Sequence, residues 1–145
     1  MTRPPIEQVM MTIAEAMACR STCRRRAVGA VITTQDNRIL ATGYNGTPSK
    51  TEHCTDLPCA GHPAASGQDL DRCEAVHAEQ NALVNCTDIT RADKIYVTTL
   101  PCVSCMKLIV NTPIRVIYFR DTYATAERSL EIWLRDPKRS AIHVE

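Results

Sequence analysis

The sequence predicts an α/β fold in three layers: a central five-stranded sheet, mixed but mostly parallel, with helices on both faces. Three observations point there. Apolar residues recur at helical spacing near the N-terminus, two β-rich runs joined by a turn follow, and strand-like runs then alternate with helix-like ones. That last order is the one that builds parallel strands under covering helices. At 145 residues the chain is most simply one domain, residues 1–145. A chain of this size buries roughly 68–70% of its unfolded surface, enough for a core without covalent staples.

Each element has its own signal. PPIEQVMMTIAEAMACRS carries Ile6, Val9, Met10, Ile13 and Met17 at helical spacing, with prolines where a helix front tolerates them. AVGAVITT and RILATGY read as strands, and QDN between them offers Asp36 and Asn37 for a tight turn, so the two form a hairpin. Residues 46–73 have no periodicity and are rich in Gly, Pro, Cys and His; an insertion of that length is functional or tied by metal. A helix from about His77 to Cys86, the strand KIYVTT, a helix opened by Pro101, the strand RVIYF, the helix TAERSLEIWL and a last strand AIHV complete the chain.

Composition narrows the function classes. Seventeen basic and 16 acidic residues leave a formal charge of +1, and aromatics are 4% of the chain, little equipment for gripping a nucleic-acid polymer. A small ligand is expected instead. No apolar run approaches the roughly 18–20 residues that span a bilayer, and MTRPPIEQV lacks the apolar region of an export signal, so no membrane partner and a cytoplasmic location are expected. Eight cysteines without an export signal favour metal ligation over a disulfide framework.

In PCVSC, Cys102 and Cys105 lie three apart in the first turn of a helix and share a face. Free amide hydrogens and the helix dipole favour thiolate there. A buried cysteine pair or a redox dithiol would explain that motif alone. His77 likewise opens a helix after an irregular segment, and two such junctions can meet at one end of a sheet. One His and two Cys leave the fourth tetrahedral position to water, as in catalytic rather than structural zinc. Glu79, two residues on, points away from His77 on a helix, so it is free to shuttle protons rather than bind metal. His77, Glu79 and a downstream PCxxC together form the signature of zinc nucleobase deaminases.

HAE and PCVSC, joined to VGAVI, GYNG over Gly43, Tyr44, Asn45 and Gly46, and the following His53 and Cys54, resemble the deoxycytidylate deaminases of the cytidine-deaminase superfamily, roughly from Ala14 to Tyr123. The resemblance implies conversion of dCMP to dUMP with release of ammonia. It implies that Asn45 bonds the sugar of the nucleotide, that the Ala78 N–H holds the cytosine O2, and that Tyr123 lines the pocket. Arg25 and Arg26, with Ser21 and Thr22 as neutral donors, would take the 5′-phosphate, a task suited to the paired donors of a guanidinium. A homohexamer regulated by dCTP and dTTP beside residues 43–46, with Mg2+ accompanying the triphosphate, is also implied. So is a second, structural zinc on Cys23 and Cys54, which Cys59 and Cys73 could complete. Cys19 and Cys86 are expected on inward helix faces. Thr112 and Pro113 stand where the family has a small residue and a glycine to end its helix. A polynucleotide deaminase, a non-catalytic zinc module and a thiol-disulfide protein are the competing readings.

Overall fold

The computed structural model describes residues 2–65, 68 and 70–145; residues 66, 67 and 69 of the insertion lie outside the described residues. The elements run α1 (Ile6–Ala18), β1 (Gly29–Thr33), β2 (Ile39–Tyr44), α2 (Ala78–Asn85), β3 (Lys94–Thr99), α3 (Val103–Ile109), β4 (Val116–Asp121), α4 (Ala126–Trp133) and β5 (Ser140–His143). One five-stranded sheet has the order β2-β1-β3-β4-β5. The strands β3, β4 and β5 are parallel, whereas β1 runs antiparallel to both β2 and β3. The α/β layering expected from the sequence is present. So is the hairpin, whose turn holds Asn37 at φ 65°, a left-handed conformation that asparagine tolerates.

Alternation along the strands sorts the core. Val31, Tyr96 and Tyr118 face α1 and meet Met10, Met11 and Ala14. Their neighbours Ala30, Ile32, Ile95, Val97 and Ile117 face the other way, toward Ala82, Met106, Ile109 and Trp133 of α2, α3 and α4. Because both faces are covered, every residue of β1 is buried, which is why its sequence is a continuous apolar run instead of an alternation.

Two local readings need correction. Pro101 does not open α3: Cys102 is its N-cap, with ψ 170°, and Pro101 stands one residue outside. Cys19 does not pack inward either. It caps the end of α1, is exposed, and its thiol donates back to the Glu15 carbonyl. Cys86 is half-buried against the larger core. Where the helix-ending glycine is replaced, the Thr112 hydroxyl donates to the Ile109 carbonyl at 2.7 Å and accepts from the Ile114 N–H at 3.2 Å, so a side chain closes α3.

Gly43 fixes how closely α2 approaches the sheet. A Cβ there would stand 2.2 Å from the Ala78 carbonyl oxygen and 2.5 Å from the Ala82 nitrogen, both backbone atoms. Neither can rotate away, so Gly43→Ala must move the helix. The expected cost is about 3 kcal/mol, the upper end for overpacking, or a fall of roughly 6–12 °C in Tm for a chain of this size. A thermal melt with an unshifted midpoint would contradict this packing.

Candidate active site

Two helix starts build the site. His77 is the N-cap of α2, in extended conformation with ψ 156°. Since His77 is not itself helical, the 200° offset expected between helical neighbours does not separate it from Glu79, and both line one cavity. The chain reaches His77 through an antiparallel bridge between Gly46 and Val76, with N–H to carbonyl distances of 3.1 and 2.7 Å. This bridge, rather than a parallel strand, delivers α2, and it sets GYNG beside the helix start. Gln80 accepts from the His77 N–H at 2.8 Å, and the Asn81 side chain donates to the Tyr44 carbonyl at 2.8 Å. Neither residue belongs to the HAE or PCxxC motif, although a glutamine three after an N-cap is a capping-box signal.

From α3 come the sulfurs. His77 Nδ1 lies 3.5 Å from Cys102 Sγ and 3.3 Å from Cys105 Sγ. The three ligand atoms lie within 4.8 Å of one another, the one such group of three or more ligand-type side chains among the described residues. Tetrahedral zinc with ordinary Zn–N and Zn–S bonds separates nitrogen from sulfur by roughly 3.5 Å, so the donor set fits zinc in spacing as well as chemistry. In the metal-free chain the hydrogen bond from Cys105, seconded by His77, draws the Cys102 thiol down to about 4. The same bond and burial push Cys105 up, and the bond to Cys102 raises His77.

Glu79 is 4% exposed, and burial pushes its carboxyl up to about 7. An acid–base group is most effective with a pKa near the working pH. The cavity holds about 390 Å³ and is lined by Arg26, Asn45, His77, Glu79, Cys102 and Tyr123 among others, a size ordinary for a small-ligand site.

The remaining expected residues distribute unevenly. Asn45 is buried; its amide donates to the Arg26 carbonyl at 2.6 Å and accepts from the Val28 N–H at 2.8 Å, which leaves one N–H for a ligand. Ala78, the first helical residue, lies on the cavity wall with one of the amide hydrogens that a helix start leaves unpaired. The Tyr123 hydroxyl donates to the Pro101 carbonyl at 3.0 Å. Arg25 is committed to the insertion, donating to the carbonyls of Gly61, Ala65 and Gln68. Arg26 lines the cavity with no such commitment among the described residues. Ser21 accepts from the Cys23 N–H at 3.2 Å and does not line the cavity.

Cys54 and Cys59 sit 3.8 Å apart, sulfur to sulfur. Hydrogen bonds from the backbone of Glu74 and Gly61 lower the Cys59 thiol. Cys23 and Cys73 line the cavity instead, and the four do not form a set of ligands within 4.8 Å.

Residues 5–120 match the pattern of the cytidine and deoxycytidylate deaminase zinc-binding region. The chain is similar to the deoxycytidylate deaminase of Mycobacterium phage D29, with 40% identity over 130 residues, 84% of this chain and 100% of the phage protein. It is also similar to the deoxycytidylate deaminase of Saccharomyces cerevisiae, 33% identical over 132 residues, which are 90% of this chain but 42% of the yeast protein. Among solved structures, the dCMP deaminase of cyanophage S-TIM5 in complex with dCMP and dUMP superposes with a TM-score of 0.73 at 27% identity, covering 99% of this chain and 100% of that one.

Proposed function

This chain belongs to the cytidine and deoxycytidylate deaminase family, and we propose that its reaction is the zinc-dependent hydrolysis of dCMP to dUMP and ammonia, which supplies dUMP for thymidylate synthesis. The observation that carries the reading is the convergence of His77, Cys102 and Cys105 with a buried Glu79 beside them in one cavity. Residues 1–145 act as a single deaminase domain in this reading, with the Cys/His-rich insertion at about 46–73 walling one side.

His77, Cys102 and Cys105 would hold the ion. When bound, zinc lowers the pKa of water toward about 7 and so supplies the nucleophile near neutrality. Glu79 takes the proton that the attacking water loses and gives it to ring N3; it then takes the remaining proton of the hydroxyl added at C4 and delivers it to the amine as the C4–N bond breaks. The free N–H of Ala78 accommodates the cytosine O2, Asn45 the sugar, and Tyr123 the cavity wall.

Of the two arginines proposed for the 5′-phosphate, Arg26 is the better candidate. Its guanidinium lines the cavity and is uncommitted among the described residues, whereas Arg25 is spent on three carbonyls. Arg26→Ala should remove a charge-assisted bond worth about 1.5–3 kcal/mol and lower kcat/KM for dCMP roughly 10–150-fold. Deoxycytidine, with no phosphate, should be turned over as before; equal losses on both substrates would contradict the assignment.

The finer parts of the reading follow the family. They are a cytoplasmic homohexamer activated by dCTP and inhibited by dTTP beside Gly43, Tyr44, Asn45 and Gly46, with Mg2+ accompanying the triphosphate, and a structural zinc drawing on Cys23, Cys54, Cys59 and Cys73. The second ion is supported by the close Cys54 and Cys59 sulfurs and by the Thr55 N–H to Thr22 carbonyl bond, 3.1 Å, which ties the chain next to Cys54 to the chain next to Cys23. Ammonia release from dCMP, dCTP, deoxycytidine and a short oligonucleotide, with and without dCTP and dTTP as effectors, tests the activity. Turnover of the oligonucleotide alone would replace this reading with a polynucleotide deaminase.

A further inference from the structure

Ser129 belongs to none of the motifs above. It sits in α4, is wholly buried, and its hydroxyl donates to the Pro101 carbonyl at 2.5 Å. The Tyr123 hydroxyl donates to that same oxygen at 3.0 Å. Two side-chain donors thus converge on one backbone carbonyl at the step between β3 and α3. Pro101 has no N–H, so this carbonyl is its one strong backbone handle. The residue before it is already fixed by the Leu100 N–H to Asp121 carbonyl bond of 2.8 Å.

The consequence falls on Cys102. The Pro101 carbonyl and the Cys102 N–H share one rigid peptide plane. Anchoring the oxygen therefore fixes the axis about which Cys102 swings, and so narrows the directions in which Sγ can meet His77. Tyr123 lines the cavity and is available to a ligand; Ser129 is sealed from it. We propose that Ser129, through the Pro101 carbonyl, is a positioning residue for the metal ligand Cys102, holding the PCxxC turn in place independently of what Tyr123 does when nucleotide enters. The proposal rests on the zinc reading given above.

Zinc affinity, measured by chelator competition on the full chain, and the absorption of the Co2+-substituted protein test it. Losing a partner that orients a ligand typically costs 10–100-fold in metal affinity or activity. Ser129→Ala should show a loss in that range, with shifted thiolate-to-cobalt bands and a fall in kcat larger than any change in KM. Tyr123→Phe should cost less zinc affinity and raise KM. Wild-type affinity and unshifted bands in Ser129→Ala would overturn the proposal, even if the variant melted at a lower temperature, because that is the mark of a merely structural serine. Should Ser129→Ala not fold, Ser129→Cys keeps nearly the same volume with a weak donor; wild-type bands there would overturn the proposal equally. Wild-type protein without thiolate-to-cobalt bands would instead remove the zinc reading, and this inference with it.

Discussion

Glu79→Gln protein should fold and take up zinc yet turn over dCMP about 10⁴-fold more slowly than the wild type. General acid–base catalysis by one placed group is ordinarily worth 10²–10⁴. Glu79 stands at the top of that range because one carboxyl is asked to accept the water proton, protonate N3 and serve the departing amine. Gln fills the same space and cannot do any of the three. Stability should move the other way. Burial raises this carboxyl from 4.5 to about 7 in the metal-free chain, so the protonated form is the one that folding favours. The stability linked to that proton is complete below about pH 4.5 and is lost as pH rises through about 7. A neutral amide never incurs the loss. Metal-free Glu79→Gln should therefore be more stable than metal-free wild type by about 3 kcal/mol at pH 8, with the gap closing toward pH 5. Retention of more than a few per cent of activity, or loss of zinc along with activity, would show that Glu79 is not the proton carrier.

How much of this was legible in the sequence depends on how local each signal is. HAE and PCVSC announce their chemistry because a few adjacent residues suffice: a ligand at each of two helix starts, and a carboxyl beside one of them. The backbone register at those starts was less visible. Whether Pro101 or Cys102 begins α3 turns on the ψ of Cys102, and the donors that hold the peptide plane before it lie 22 and 28 residues beyond Pro101. Ser129 carried no signal at all, since a lone serine in a helix gains meaning only when that helix packs against a particular carbonyl. Arg25 and Arg26 have identical chemistry as adjacent letters; only the fold turns one toward the insertion and the other toward the cavity. Cys19 shows the reverse failure. Its spacing suits the apolar face of α1, but it falls at the cap, where the thiol turns back to the Glu15 carbonyl and stays exposed.

Cys105→Ser should abolish turnover by removing the ion itself. Cys105 is fully buried, and its sulfur is the nearer of the two to His77. A serine oxygen in that place is a hard donor that stays protonated near neutrality, on a shorter bond, so it neither matches the soft thiolate nor reaches as far. The site would keep one imidazole and one thiolate, too few to compete with solvent for zinc. The thermodynamic consequence is as testable as the kinetic one. A ligand present at a thousand times its Kd stabilises the folded state by about 4 kcal/mol, or roughly 8–16 °C in Tm for a chain of this length. Wild-type protein should gain that much on zinc addition, and Cys105→Ser should gain far less. Cys19→Ser, altering an exposed thiol at the end of α1, should behave as wild type in both respects, which separates the loss of a ligand from the loss of any cysteine. Counting zinc in the two purified proteins then decides the second site: a fall from two ions per chain to one leaves the cysteines of the insertion holding metal, whereas a fall from one to none means that Cys23, Cys54, Cys59 and Cys73 hold no ion.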